Sequence, residues 1–344
     1  MISKSVRMID VAKKAKVSRM AVSAVLQGTG NGSIRVGTEK RMHIKRIAQE
    51  MGYQPNRSAQ QLAGKKSGII AVMAGTWFYP VELRVFSWLQ ETANKCGYRM
   101  LAVQSDSGVT TLKDVLGELQ GRGIEGLIYV AYNNEHQWPE VRELIHGIPH
   151  VVSLIGDLED KNTSGVVSDV ELGAAMAVQH LVERGRKKIV MVVEDITSQK
   201  DKKRVDGFRA EHIRKGLPFT ENQICIATKG WELDTTSEKQ WDELLEELIS
   251  SRNADAIIAD SDYSAVGLLK ALRRKKVNVP EKVAVLGWGN EAIAPVFDPP
   301  ISTVSYQIHE IVNTAMDILL GQSDQKSIPL TIQVEPKLFI RETT

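Results

Sequence analysis

Apolar positions in the first fifty residues recur at helical spacing. Val22, Val25 and Leu26 fall at i, i+3 and i+4, and Ile44, Ile47, Ala48 and Met51 make a second stripe. Each predicts a short amphipathic helix. Asp10 opens an earlier one over Asp10–Ala15, a tight turn follows at Lys16-Val17, Ser18 caps the second helix and Thr38 caps the third. Gly52 and Pro55 end the third. Residues 27–32 between the second and third helices read as a loop. Their GxGxG spacing follows no strand, so it lacks the setting of a phosphate cradle.

Residues 56–67 form a short Gln/Ala-rich link that is too short to be stable as an isolated helix. From Ile69 the period changes. β-rich runs at Ile69–Met73, Arg99–Val103, Leu127–Val130, His150–Leu154, Ile189–Val193, Ala256–Ala259 and Val283–Leu286 alternate with amphipathic stretches. Among these stretches are Leu83–Lys95, Gly173–Arg184, Asp242–Ser251 and Ala265–Lys275. Such alternation predicts α/β architecture with doubly wound parallel sheets. The run is too long for one sheet of common size, which points to two similar lobes with a crevice at the strands' C-terminal ends.

Charge sharpens the division. Residues 1–66 carry a formal charge of +11 and the remainder −9, although the whole chain carries +2. A basic head on an acidic body is the electrostatic footprint of nucleic-acid binding. No apolar run approaches the roughly 18 residues of a membrane span. Met1–Arg7 is charged with no apolar run after it, so no signal peptide and a cytoplasmic setting are expected. Cys96 and Cys225 fit no metal or redox spacing, and both are expected as buried small hydrophobes. The seven histidines form no HxxH or HExxH pair, and no GxSxG or Walker loop occurs, so neither catalytic residues, metal nor cofactor is expected.

Many pieces of the chain, in order and spacing, resemble the lactose-repressor (LacI/GalR) family of bacterial transcription regulators. In the head they are Asp10-Val11-Ala12-Lys13-Lys14-Ala15, Val17-Ser18, Val22-Ser23, Val25-Leu26 and Gly52-Tyr53-Gln54-Pro55-Asn56. Ala59-Gln60-Gln61-Leu62 is similar to the family's hinge helix. In the body they are Ser168-Asp169, Gly173, the run from His180 to Gly185, Arg204 with Gly207-Phe208, Asp262 with Ala265 and Gly267, and Val283–Gly287. The resemblance covers essentially the whole chain. It implies a three-helix helix-turn-helix DNA-binding head over residues 1–55, a hinge over 56–67, and a two-lobed periplasmic-binding-protein-like body over 68–344. Lobe 1 is expected at about 68–163 and 295–322, and lobe 2 at about 164–294 and 323–344. It also implies a homodimer on double-stranded operator DNA, with affinity set by a sugar-like effector between the lobes.

The expected DNA-binding residues are Ser18, Arg19, Met20, Ser23, Ala24, Asn56, Ala59 and Leu62. Arg19 has the fork to read guanine, or else contacts phosphate; Met20 and Ala24 offer only apolar contact, as to a thymine methyl. Leu62, by resemblance, wedges between base pairs in the minor groove. The expected effector-binding residues are Trp77, Phe78, Tyr79, Arg204, Trp231, Asp262 and Trp288. Three of them have a plainer alternative: Arg204 as a surface arginine starting a helix, Trp231 as core, Asp262 as a helix cap. The chain also departs from the family. Ala24 stands where arginine is common, Trp288-Gly289 where Tyr-Asp is common, Ser261 where asparagine is frequent, and Ile155-Gly156 where an acid is usual. A small-molecule-binding protein without a DNA role is the competing reading, and an enzyme fused to a DNA-binding head is a third.

Overall fold

The computed structural model describes residues 6–26, 36–54, 66–74, 80–104, 109–121, 123–131, 138–148, 150–156, 158, 160–227, 238–321 and 330–344. The chain divides into two units, Met1–Gly68 and Ile69–Thr344.

In the first unit, α1 (Met8–Ala15), α2 (Arg19–Leu26) and α3 (Thr38–Glu50) bury one small core of Val11, Ala12, Ala15, Val22, Val25, Ile44, Ile47 and Ala48. These are the positions of the helical stripes. Two helix starts differ from expectation. Asp10 does not open α1 but lies in its first turn, where its carboxylate accepts the Arg7 N–H at 2.9 Å. Thr38 is the first helical residue of α3, after Gly37. Ser18 caps α2 as expected, accepting the Ala21 N–H at 3.1 Å. Gly52 ends α3 with φ +64°, a conformation glycine adopts without strain.

Among the described residues the second unit holds two six-stranded sheets. The first has the order β11-β5-β4-β3-β1-β2 and is parallel throughout. Its strands are β1 (Ile69–Ala74), β2 (Arg99–Gln104), β3 (Leu127–Val130), β4 (Val151–Leu154), β5 (Thr163–Ser168) and β11 (Thr331–Val334). The second has the order β12-β10-β9-β8-β6-β7 and is parallel except for its edge strand β12. It comprises β6 (Ile189–Val193), β7 (Ile224–Ile226), β8 (Ala256–Ile258), β9 (Ala284–Trp288), β10 (Ser302–Ser305) and β12 (Lys337–Phe339). Both sheets wind alike, the second strand outside the first and the rest following on the other side. Helices α4 (Pro80–Lys95), α5 (Val109–Gly121), α6 (Trp138–Ile145) and α11 (Ile308–Leu319) accompany the first sheet. Helices α7 (Val170–Glu183), α8 (Gln199–Arg214), α9 (Glu238–Glu246) and α10 (Asp262–Arg274) accompany the second. Strands covered on both faces are apolar at every position, as in β3 and β6.

The chain crosses between lobes three times, and the crossings differ from the expected ones. They fall at Asp169 between β5 and α7, at Tyr306-Gln307 between β10 and α11, and at Glu335-Pro336 between β11 and β12. Residues 163–168 and 331–334 therefore belong with the first sheet, and 302–305 with the second. The reason is pairing: β11 closes the open edge of β5, and β10 extends the second sheet beyond β9. Two smaller expectations also change. His150 has φ +53° and precedes β4 rather than starting it, and the helix expected over Asp242–Ser251 begins at Glu238 and ends in a π-turn at Glu247–Ser251. Cys225 is buried, with its thiol pushed up to about 11 by burial first and the Glu247 carboxylate second, whereas Cys96 is exposed in the turn that ends α4.

Candidate functional site

Two surfaces concentrate chemistry. The first is the N-terminal turn of α2. Because Val22 and Val25 point into the head's core, Arg19 and Met20 face outward, and Met20 is 66% exposed. Ser23 and Ala24 are half-buried on the same helix. Lys13, Lys14, Lys16, Lys40, Arg41, Lys45 and Arg46 are exposed around this core. An eight-residue helix presenting one guanidinium and one thioether amid lysines and arginines can enter a major groove, with cations left for the flanking phosphates. Asn56, Ala59 and Leu62 lie outside the described residues.

The second surface follows from sheet winding. In a sheet ordered 2-1-3-4-5 the crevice opens beyond the C-terminal ends of the first and third strands, where successive connections leave to opposite faces. In the second lobe those ends are β6 and β8. The segment after β6 leads into α8 with Ser198, Asp201 and Arg204; the segment after β8 carries Asp260, Ser261 and Asp262. The fold thus brings Arg204, Asp262 and Trp288, expected from sequence, to one place. Trp77, Phe78, Tyr79 and Trp231 lie outside the described residues.

Arg204 is no surface arginine. It is 1% exposed and lies within α8, whose cap is Ser198, accepting the Asp201 N–H at 3.1 Å. Its Nη1 donates to Asp201 Oδ1 at 3.4 Å and to the Asp260 carbonyl at 3.3 Å, and its Nη2 donates to the Tyr306 hydroxyl. The guanidinium lies 4.1 Å from the centre of the Trp288 ring, within cation–π range. Asp201 is fixed in turn by the N–H groups of Glu194 and Asp195, at 3.1 and 2.9 Å on Oδ2. Trp288 is 2% exposed, a Cβ added at Gly173 would sit 3.2 Å from its ring, and its indole N–H has no hydrogen-bond partner among the described residues. The arginine and the tryptophan therefore form one stacked, buried pair.

Asp262 is fully buried but is not the helix cap. Ser261 caps α10 by accepting the Ser264 N–H at 3.1 Å. Asp262 Oδ2 accepts the Glu291 N–H at 2.6 Å, and Oδ1 faces Gly287, where a Cβ would sit 2.2 Å away. Burial raises its carboxyl to about 6, against hydrogen bonds from Thr303 and Glu291 that lower it. Glu291, on the loop after β9, is 5% exposed and is also pushed up by burial, with Arg84 opposing. Arg84 comes from α4 of the other lobe. Its Nη1 donates to the carbonyls of Gly289 and Asn290, both at 3.1 Å, and pairs with Glu291 Oε1 at 3.2 Å. Sequence reasoning missed this pair: its members stand 207 positions apart with no local pattern between them. Among the described residues no group of three His, Cys, Asp or Glu side chains is arranged to hold a metal, and no helix is long and apolar enough to cross a membrane.

Two family models match the chain: "Bacterial regulatory proteins, lacI family" over residues 7–56, and "Periplasmic binding protein-like domain" over residues 178–344. The chain is 28% identical over 340 residues to the HTH-type transcriptional regulator DegA of Bacillus subtilis (strain 168), with 97% of each covered. In fold it is similar to the Lac repressor dimer bound to operator and the anti-inducer ONPF, with TM-score 0.82, 22% identity and 99% of each chain covered. It is also similar to the transcriptional regulator CelR–cellobiose complex, with TM-score 0.66, 22% identity, and 98% of this chain and 100% of that one covered.

Proposed function

We propose that the chain is a member of the LacI family of bacterial regulatory proteins and a transcription regulator, a repressor, whose hold on operator DNA is set by a small sugar-like effector between the two lobes of its body. The observation that carries the DNA half is the outward turn of α2, which leaves Arg19 and Met20 exposed on a folded three-helix head. The homology to the regulator DegA spans both head and body. Two copies of the chain bind a pseudo-palindromic operator; the structural relative is a dimer bound to operator. The reading is one of binding and not of catalysis, and the chain works in the cytoplasm, where its DNA is.

In this reading α2 enters the major groove. Arg19 donates a bidentate pair to guanine O6 and N7, Met20 and Ala24 meet apolar base edges, and Ser18 and Ser23 position the backbone on phosphates. Asn56, Ala59 and Leu62 belong to the minor-groove hinge. The effector lies at the C-terminal ends of β1, β3, β6 and β8, with Arg204, Asp262 and Trp288 at its floor; Trp77, Phe78, Tyr79 and Trp231 are assigned to it by the resemblance to the family alone. Arg204 is tied to Tyr306 at a lobe crossing, so a ligand that draws on the guanidinium acts on the crossing as well. The test is selection of binding sites from random duplex DNA by the full-length chain, followed by titration over salt. Enrichment of a pseudo-palindrome with steep salt dependence is expected; no enrichment returns the chain to the small-molecule-binding reading.

A further inference from the structure

The two arginines that reach between elements at the cleft are held in opposite ways. Arg204 spends both terminal nitrogens on partners within its own lobe and at the crossing, under a tryptophan, at 1% exposure. The Arg84 side chain is 30% exposed, and its three polar contacts among the described residues are made by Nη1, on the far lobe. That loop is shaped to receive it. Gly289 and Asn290 take φ +121° and +50° in succession, which turns two consecutive carbonyls toward α4. The loop is pinned from behind: the Asn290 N–H donates to Thr303 Oγ1 at 3.2 Å, Arg341 Nη2 donates to Asn290 Oδ1 at 2.8 Å, and the Glu291 N–H donates to Asp262. Glu291 is buried, and Arg84 is its one ion-pair partner among the described residues. A rigid receiver thus meets a solvent-edged donor that touches it through a single nitrogen. Such a contact is made or broken as a unit, and its breaking leaves a buried carboxylate without a cation.

We propose that Arg84 is a positioning residue: its clasp on the 289–291 loop holds the lobes together across the cleft, and the effector regulates the chain by shifting the balance between clasped and unclasped arrangements. This rests on the effector-controlled reading above and names the device by which that control is exerted. Arg84 acts on DNA affinity through the lobe arrangement, so its substitution changes the response without touching DNA.

The experiment is a distance measurement between spin labels at Lys113→Cys on α5 and Lys239→Cys on α9, both exposed, in a Cys96→Ser background. Full-length labelled chain is mixed with excess unlabelled chain so that labels report within one copy. The expected result is that Arg84→Gln and Glu291→Gln each shift or broaden the interlobe distance relative to the parent. The double variant should do no more than either alone, the signature of one shared interaction. Leu83→Gln, an exposed neighbour on α4, should match the parent, and Arg84→Gln should change affinity for DNA selected with the wild type at least about fivefold. A parent-like distance distribution in Arg84→Gln, or strictly additive effects of the two substitutions, overturns the clasp. These outcomes stand apart from the regulator reading. Failure of the wild type to select DNA sinks that reading while the distances remain measurable; DNA selection with unmoved distances sinks the clasp alone.

Discussion

Gly207 on α8 lies so close to Glu171 on α7 that a Cβ at position 207 would sit 2.1 Å from the Glu171 carbonyl oxygen. The obstacle is backbone, which cannot swing away as a side chain does. Gly207→Ala therefore has to push two helices of the second lobe apart. It should cost on the order of 1–3 kcal/mol or more, read as a lower urea midpoint with unchanged m-value. Gly117, inside α5 with open space where its Cβ would go, is the counterpart: Gly117→Ala should stabilise by about 0.5–1 kcal/mol through helix propensity. Equal midpoints for the two variants would contradict the packing described here.

Arg204→Ala strands Asp201 and uncovers one face of Trp288. Removing one member of a buried ion pair costs about 3–5 kcal/mol, so this variant should melt well below the wild type as well as lose its effector response. Adding Asp201→Asn should recover part of the lost stability. A wild-type melting temperature for Arg204→Ala would mean that the arginine is solvated in solution.

Asp262 makes stability depend on pH in a stated direction. Its folded-state value of about 6 lies above the ordinary 3.8, so the native state holds this proton more tightly than the unfolded chain does. Its contribution is therefore fully present below the ordinary value and declines as pH rises toward 6, then stays level. Asp262→Asn lacks this decline. The variant should gain on the wild type by up to about 3 kcal/mol between pH 4 and pH 7; a constant difference across that range would refute the buried-acid account. His180 and His212 run the other way. Burial lowers both, so stability from their neutral forms is present above 6.5 and is lost on acidification below it.

On DNA, Arg19→Ala should weaken binding to the selected site by about 1–3 kcal/mol and relax the preference at one base pair. Lys13→Ala should weaken all sequences alike and lower the salt slope by about 0.9. If both variants change only the slope, Arg19 is a phosphate contact rather than a base reader. Leu62→Ala should reduce operator affinity and DNA bending together while leaving ligand binding to the free protein unchanged, as gel-shift bending assays would report.

What could be read in the sequence was periodic or local. The stripes Val22–Val25–Leu26 and Ile44–Ile47–Ala48, and the apolar runs of β1, β3 and β6, carry their own burial in their spacing, and Ser18 is a cap wherever a helix follows it. What could not be read was set by partners distant in sequence. β10 and β12 show no strong pattern, yet pairing draws them into the second sheet, which moves the lobe boundaries. Arg204 carries no local sign of burial, because Trp288 and Tyr306 that cover it lie 84 and 102 positions away. Asp262 looked like a cap because Ser261 and Asp262 are both good cap residues; the choice fell to Ser261 once the Glu291 N–H claimed the aspartate. Arg84 and Glu291 are brought together only by the packing of one lobe against the other.

The three lobe crossings are also neighbours. Ser168, at the end of β5, is in register with Val334 at the end of β11, and Ser305, at the end of β10, with Lys337 at the start of β12. A lone connection would let one lobe swivel freely about the other. Three tied side by side behave as the leaf of a door hinge, which resists torsion and yields to bending about the line that joins them. Relative motion of the two lobes is thereby favoured along one angular coordinate, bending about that line, over any twist.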